Sequence, residues 1–250
     1  SRIMQERIRR KGLIGLRILP SLDQIEFDES QREHFAPGIG FCKLFWVFLF
    51  AGAFGVLLET SYCFWRTGFI ESRATFVWLP LNMVYGVAGV IMTVVLYCLR
   101  KFSRVGVFFV GMFLGCVIEF LCSLVQEHVF QSISWRYSGP TNILGRTSLK
   151  YALVWGLLAL MWMKVIYPLI SMALLKIPRK AGRVITAVLV LILLLNMVVT
   201  FLAVQRWAVR SSEPDTEVRI YQWVDAWFPD SRMEQLFPNL RFTGIGESTS

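Results

Sequence analysis

Five apolar runs of the chain are each long enough to cross the hydrocarbon core of a membrane. A helix needs roughly 20 residues for this, and only a helix satisfies all of its own backbone polar groups in lipid. The runs cover residues 43–65, 77–99, 105–125, 151–175 and 184–204. Hydrophobic residues make up 55% of the chain, which is too many for an ordinary soluble domain. The sequence therefore predicts an all-α, polytopic membrane protein with about five transmembrane helices.

The first four predicted helices repeat in the sequence at an interval of sixty residues, without a gap. Each unit is helix, outer loop, helix, so both units enter the membrane from the same side. A parallel tandem repeat of helix pairs is therefore predicted, over residues 41–100 and 101–175, with a pseudo-two-fold axis along the membrane normal. The matched polar and small residues are Gly55 with Gly115, Glu59 with Glu119, Pro80 with Pro140, and Asn82 with Asn142.

Basic loops set the predicted orientation in the membrane. Lys and Arg crowd the loops at 100–104 and 176–183, and a basic stretch spans residues 7–17. Short loops rich in Lys and Arg stay in the cytoplasm, so the N-terminus is predicted to be cytoplasmic and the C-terminus extracytoplasmic. The net charge of +9 thus belongs to membrane topology, and nucleic acid is rejected as a partner.

Two polar flanks bracket the predicted transmembrane domain, residues 41–206. Residues 1–40 are predicted to be a cytoplasmic leader, first basic and then acidic, which either begins with a helix on the membrane surface or is poorly ordered. Residues 207–250 are predicted to be an extracytoplasmic tail with short amphipathic helices. Its aromatic residues suit either the headgroup level or a cap on the outer loops, and the cap is the preferred interpretation.

Two helices carry polar residues outside the repeated pattern. The fifth helix, residues 184–204, contains Asn196, which is expected to bond to a neighbouring segment. The fourth contains Lys164 and Pro168. It is expected to end near Pro168, with Lys164 reaching the inner membrane boundary.

Two intramembrane carboxylates, Glu59 and Glu119, mark the candidate site. Such a charge is costly and usually faces the bundle interior or a wet cavity. At 1.5 Å per residue the two lie about 24 and 22 Å from the basic starts of their helices, in the outer part of the core. Pro-x-Asn elements ending at Asn82 and Asn142 are expected to open the return helices at that level.

Arg146 follows the second Pro-x-Asn element and is expected to pair with Glu119 or Glu59 through two parallel bonds. Such a pair either braces the helices or belongs to a binding site. Gly86 occupies the matching position of the first unit, and these unequal partners favour a site. Five cysteines without CxxC spacing and two histidines predict no metal. Neither a cofactor nor a P-loop is indicated.

Residues 135–146 read W-R-Y-S-G-P-T-N-I-L-G-R, and W-G-L-L follows at 155–158. They resemble the W-D-Y-S-x-x-P-F-N-L-N-G-R and W-G-L-L-G stretches of the bacterial CmpB-like, or type IV, family, whose members are labelled ABC-transporter permeases. F-P-D-S-R-M at 228–233 is similar to the family's F-P-D-E-R-M. The resemblance covers most of residues 41–243. The chain departs from the family at Arg136, Leu144 and Met83, where the family has Asp, Asn and Pro, and the first exchange would alter the charge preference of the site.

The resemblance implies a membrane protein labelled as a transporter permease. The predicted function is a permease-like transport component of the bacterial plasma membrane, with a polar cavity open to the extracytoplasmic side. Membrane lipids, a separate ATPase subunit or a second copy of the chain are the implied partners. Two alternatives stay open. One is an intramembrane enzyme acting on a lipid or lipid-linked group at the outer leaflet, with Glu119 as base and Arg146 holding a phosphate or carboxylate. The other is a membrane scaffold or sensor. The candidate substrate-binding residues are Glu59, Asn82, Glu119, Tyr137, Asn142 and Arg146.

Overall fold

A computed structural model of the chain describes residues 35–99, 103–212 and 222–243. Most of the predicted leader and residues 100–102, which include Arg100 and Lys101, lie outside this part. The helices are α1 (Phe41–Thr67), α2 (Met83–Cys98), α3 (Arg104–Phe130), α4 (Leu149–Met161), α5 (Tyr167–Leu175), α6 (Arg179–Ser212), α7 (Gln222–Trp227) and α8 (Asp230–Leu236). The strands are β1 (Ser132–Ile133), β2 (Asn142–Ile143), β3 (Thr147–Ser148) and β4 (Arg241–Phe242).

Four continuous helices of the described residues are long and apolar enough to cross a membrane. They are α1, α3, α6 and the helix Leu149–Leu175, in which a π-helical turn at Trp162–Ile166 joins α4 to α5. α2 has only 16 residues, which is about 24 Å against a hydrocarbon core of roughly 30 Å. Most residues of the four long spans are not buried within the chain, as expected of helices that face lipid.

The second helix begins at Met83, six residues later than the predicted start at Val77. Its N-cap is Asn82, whose Oδ1 accepts the backbone N–H groups of Val84 at 3.0 Å and Tyr85 at 3.4 Å. Side-chain capping of this kind satisfies amides that have no partner inside the helix. The Pro-x-Asn element therefore starts this helix as predicted, and the apolar residues before it form an extended loop.

The fourth span does not end near Pro168, so this prediction was wrong. Proline has no N–H to donate to the preceding turn. The π-helical turn absorbs this defect, because the N–H of Tyr167 donates to the carbonyl of Trp162, five residues earlier. Beyond the proline, Ile170 and Leu174 are buried in the main core and do not lie on the membrane surface.

Glycines let the helices of each pair touch closely. In the first pair, a Cβ on Gly55 would lie 2.3 Å from Cγ of Tyr85. In the second pair, a Cβ on Gly115 would lie 2.1 Å from Cγ of Trp155. Contact at this distance forbids any side chain at either glycine.

A second contact of the same kind joins Gly86 to Phe48 and Gly156 to Phe108. Phe48 and Phe108 are sixty residues apart, as predicted for the first helix of each pair, but Gly86 and Gly156 are seventy apart. For the second helix of each pair, the sequence match predicts equivalent residues sixty apart. The glycine contacts instead relate residues that are seventy apart.

The loops 68–82 and 131–148 lie at one end of the bundle, here called the loop end. The first loop joins α1 to α2, and the second joins α3 to α4. At the loop end, α6 binds the first loop. Asn196 Oδ1 accepts the N–H of Trp78 at 3.3 Å, and Thr200 Oγ1 accepts the N–H of Val77 at 3.1 Å. The expectation that Asn196 bonds to a neighbouring segment is confirmed.

The described part of the tail packs on the C-terminal half of α6. Val224, Phe228, Met233 and Phe237 form one apolar cluster with residues of that helix, and β4 pairs with β1 of the second loop. An ion pair fixes the position of α7. Arg206, only 6% exposed, donates two hydrogen bonds of 2.9 Å to the two oxygens of Asp225.

Neutralising Asp225 is expected to loosen the tail. Hydrogen bonds from Arg206 hold the pKa of Asp225 below its ordinary value. The ion pair therefore contributes stability above about pH 4, where an unfolded Asp is ionised, and this stability is lost as the pH falls through the lowered folded pKa. Asp225→Asn should cost about 2 kcal/mol at neutral pH. The hydrogen-exchange protection factors of residues 222–243 at pH 7 should fall toward those of the parent in acid.

Asp230→Asn is the matched control, because Asp230 is half exposed and pairs with Arg210 of α6, one turn beyond Arg206. Its tail should exchange almost as slowly as that of the parent. Equal exchange rates in the parent and in Asp225→Asn would show that apolar packing alone holds the tail.

Candidate functional site

Two helices each present a carboxylate to the bundle interior near the loop end. Glu119 of α3 is 6% exposed, and Glu59 of α1 is half-buried. The negative charges of the two interact with each other. Both were predicted as site residues from the sequence, and the structure brings them into one polar layer.

Neutral donors surround the Glu119 carboxylate. The Tyr137 hydroxyl donates to Oε1 at 2.6 Å, and the Thr147 hydroxyl donates to Oε2 at 2.8 Å. The indole of Trp155 is a third donor beside the same carboxylate. Both oxygens are thus satisfied, but none of these groups carries a positive charge.

The predicted pair between Glu119 and Arg146 is wrong. Arg146 instead donates to Ser123 Oγ at 3.0 Å and forms an ion pair with Glu127. Ser123 and Glu127 follow Glu119 at intervals of four residues along one face of α3. The reason lies in the β2–β3 hairpin, in which Thr147 begins β3 and Arg146 is the last residue of the turn before it. Thr147 faces Glu119, and Arg146 consequently reaches the next turns of the helix.

The two predicted amides have different structural roles. Asn82 caps α2, and its Nδ2 donates to the carbonyl of Arg73 at 3.2 Å. Asn142 lies in β2 and does not open a helix, since α4 begins at Leu149. Its Oδ1 accepts the N–H of Gly145 at 2.8 Å, and its Nδ2 donates to the Gly139 carbonyl. Both side chains therefore bond to the chain's own backbone.

Arg73 is a site residue that the sequence interpretation missed. Its charge interacts with that of Glu59, and its guanidinium donates to Glu71 at 2.9 Å and to the sulfur of Cys63 at 3.0 Å. The signal was available, because Arg73 is the single basic residue between the first two helices. The sixty-residue repeat instead points to Gly86 as the counterpart of Arg146, and Gly86 carries no charge.

Aromatic rings form the remaining walls of the layer. Tyr137 stacks on Tyr151 with ring centroids 4.5 Å apart, and Tyr85 packs against Trp155 at 5.3 Å. Tyr85 also interacts with the Glu59 carboxylate. Burial, followed by the charge of Glu119, raises the pKa of Tyr137 far above its ordinary value. The Tyr137 phenol therefore stays protonated at neutral pH and keeps donating to Glu119.

This charge balance decides what the layer can bind. Glu59 interacts with the guanidinium of Arg73, which also pairs with Glu71, whereas the described partners of Glu119 are all neutral. When both carboxylates are ionised, the interior carries an excess of negative charge, next to aromatic faces that attract cations. Within the described ranges, no group of three or more His, Cys, Asp or Glu side chains could hold a metal ion. The layer suits a proton or a compact organic cation.

Comparison with known families matches one model, described as "Putative ABC-transporter type IV", to residues 46–201. No protein of curated function and no solved structure matches the chain. The matched region runs from α1 into α6, contains both carboxylates and the whole second loop, and is more than half of the chain. With four helices able to cross a membrane, the chain is a membrane protein and belongs to the CmpB family of ABC-transporter-like proteins.

Proposed function

We propose that this chain is the permease-like, membrane-spanning component of a transporter, with its substrate site between Glu59 and Glu119. The observation that carries the proposal is the state of Glu119. It is a carboxylate buried at the loop end of a membrane bundle, bonded only to neutral donors and facing a second carboxylate. Membership of an ABC-transporter-like family supports a transport role for such a site.

A purely structural role explains this arrangement less well. A brace between helices is best made from opposite charges, since a buried charge without a counter-charge costs several kcal/mol. Glu119 has hydroxyl partners but no cation, although Arg146 lies next to Thr147 in the same hairpin. Polar groups that cost stability inside a membrane are typically retained for function.

We infer that the two helix pairs are parallel repeats, so that Glu59 and Glu119 are equivalent residues. Residues seventy apart touch each other in two places, Tyr85 with Trp155 at 5.3 Å and Tyr97 with Tyr167 at 6.3 Å. Equivalent residues of two-fold related units can touch only beside the axis. These contacts support an axis between α2 and the helix Leu149–Leu175, with α2 as a fifth, short span.

An intramembrane enzyme is the weaker candidate. That alternative needs a cation beside Glu119 to hold a phosphate or carboxylate, and Arg146 pairs with Glu127 instead. The excess of negative charge favours a cationic substrate or a coupled proton. A transporter of this family would be driven by a separate ATPase subunit. The α5–α6 turn is only three residues long, so residues 1–40 are the proposed docking element for that subunit.

Glu119→Gln is expected to abolish transport and keep the fold, because the amide preserves the shape but removes the charge. We expect uptake of the transported solute to fall at least tenfold, which is about 1.4 kcal/mol of binding. The measurement compares solutes accumulated by energised membrane vesicles containing the parent or the variant, using untargeted mass spectrometry.

Glu234→Gln makes the same chemical change at an exposed tail position and should leave every solute level unchanged. Identical solute profiles for the parent and Glu119→Gln would overturn the proposed site and leave Glu119 as a structural residue.

Tyr137→Phe is expected to give an intermediate defect. It keeps the ring stacked on Tyr151 but removes the 2.6 Å hydrogen bond to Glu119. Uptake should fall between that of the parent and that of Glu119→Gln, while the melting temperature changes by only a few degrees, since a hydrogen bond to a charged group is worth about 1.5–3 kcal/mol. Full uptake in Tyr137→Phe would exclude Tyr137 from the site.

The loop end is expected to face the extracytoplasmic side. Ser138, Ser231 and Ser103 are all exposed, and the first two lie at the loop end while Ser103 caps α3 at the opposite end. In intact cells a membrane-impermeant maleimide should label Ser138→Cys and Ser231→Cys above the background of the native cysteines, but not Ser103→Cys. Labelling of Ser103→Cys alone would reverse the orientation.

A further inference from the structure

We propose that the tail helix α7 lies in the headgroup layer of the membrane at the loop end, with Trp223 and Trp227 in contact with lipid. These two indoles are 47% and 62% exposed, although the helix that carries them packs on a membrane span. The inference rests on the depth of α7 in the membrane. It does not depend on the function proposed for Glu119.

The charges of α6 mark where this helix enters and leaves the hydrocarbon core. Residues 184–205 lie between Arg183 and Arg206 and include no Asp, Glu, Lys or Arg. At 1.5 Å per residue this stretch is about 33 Å long, which is close to the roughly 30 Å thickness of the core. Arg206 therefore lies at the edge of the core on the side of the loop end.

Ion pairs hold α7 at this edge. Asp225, in the middle of α7, accepts two hydrogen bonds of 2.9 Å from Arg206 and is also bonded by Arg210, one turn farther along α6. Val224 is 1% exposed and belongs to the same apolar cluster as Val204 of α6. The helix α7 consequently occupies the level at which headgroups replace hydrocarbon.

The two indoles point away from α6. Successive residues of an α-helix are about 100° apart around its axis, so Trp223 and Trp227 each lie about 200° from Asp225. Since Asp225 faces the arginines of α6, the tryptophans lie on the opposite side of α7. They are four residues apart and share one face. This face is turned toward the surroundings of the bundle at the edge of the core.

This aromatic face suits lipid headgroups better than water. Tryptophan is enriched at membrane interfaces, where its ring meets apolar groups and its N–H meets polar ones. The next helix, α8, lies farther from the core, because Asp230 pairs with Arg210. Its exposed side chains are all polar and are those of Asp230, Ser231, Arg232, Glu234 and Gln235. The exposed surface of the tail therefore changes from aromatic to polar as the chain moves away from the core.

Fluorine NMR of the full chain in lipid nanodiscs tests the proposal. The nine tryptophans are replaced biosynthetically by 5-fluorotryptophan, and the signals lost in Trp223→Phe and in Trp227→Phe identify the two resonances. One sample contains phosphatidylcholine with a nitroxide on its headgroup, and another contains a water-soluble gadolinium chelate. We expect the nitroxide lipid to broaden both resonances at least threefold more than the chelate does.

Ser231→Trp supplies the matched control, because Ser231 is exposed among the polar side chains of α8. Its added resonance should respond in the opposite sense, at least threefold more to the chelate than to the nitroxide lipid. Trp162 is 5% exposed and bonded to Thr93, so its resonance should respond to neither reagent.

Two results would overturn the proposal. Stronger broadening of the Trp223 and Trp227 resonances by the chelate than by the nitroxide lipid would place this face of α7 in water. Resistance of both resonances to both reagents would show that a protein partner or a second copy of the chain covers the face instead of lipid.

Discussion

The buried charge of Glu119 is the constraint on which the loop end of this molecule depends. A carboxylate in a membrane interior has no water to solvate it, so the protein must bring donors to it. The second loop does this with two hydroxyls, those of Tyr137 and Thr147. Because these residues lie on opposite arms of the loop, bonding both of them folds the loop back onto α3. The hairpin β2–β3, the Arg146–Glu127 pair and the pairing of β1 with the tail all follow from that placement.

The sequence located the carboxylates but not their partners, for a physical reason. An intramembrane charge has few acceptable environments, so its position in a long apolar run predicts an inward orientation. The partner of Arg146 is set by the turn at residues 144–146, which directs Arg146 to Glu127 while the next residue, Thr147, bonds to Glu119. No pattern in residues 142–148 specifies that choice. Thr147, a small polar residue beside a conspicuous arginine, gave no signal, although it is the direct partner of Glu119.

The sequence likewise predicts the membrane spans better than it predicts where the helices begin and end. The length of the apolar runs predicted the four long helices well, since lipid leaves the backbone no alternative. Helix ends near prolines were harder to predict, because tertiary contacts decide whether a helix stops at a proline or continues through it. Pro80 precedes a true helix start, where Asn82 caps the amides. Pro168 is carried through by a π-helical turn, since stopping there would expose Leu174, which is buried in the core. The glycine contacts of α2 and α4 relate residues that are seventy apart. The sixty-residue match of Asn82 with Asn142 therefore does not give the equivalent positions of these two helices.

Binding at the carboxylates and movement of the second loop are necessarily coupled in this arrangement. A cation that approaches Glu119 competes with the hydroxyls of Tyr137 and Thr147 for the same two oxygens. If the cation displaces them, the two bonds that fold the loop onto α3 are lost, while the Arg146–Glu127 pair still holds the hairpin one to two turns away. Under the proposed function, the hairpin would then pivot about that ion pair. A substrate that carries its own positive charge would therefore supply free energy for the opening of its route, which a neutral molecule of the same size could not do by this exchange.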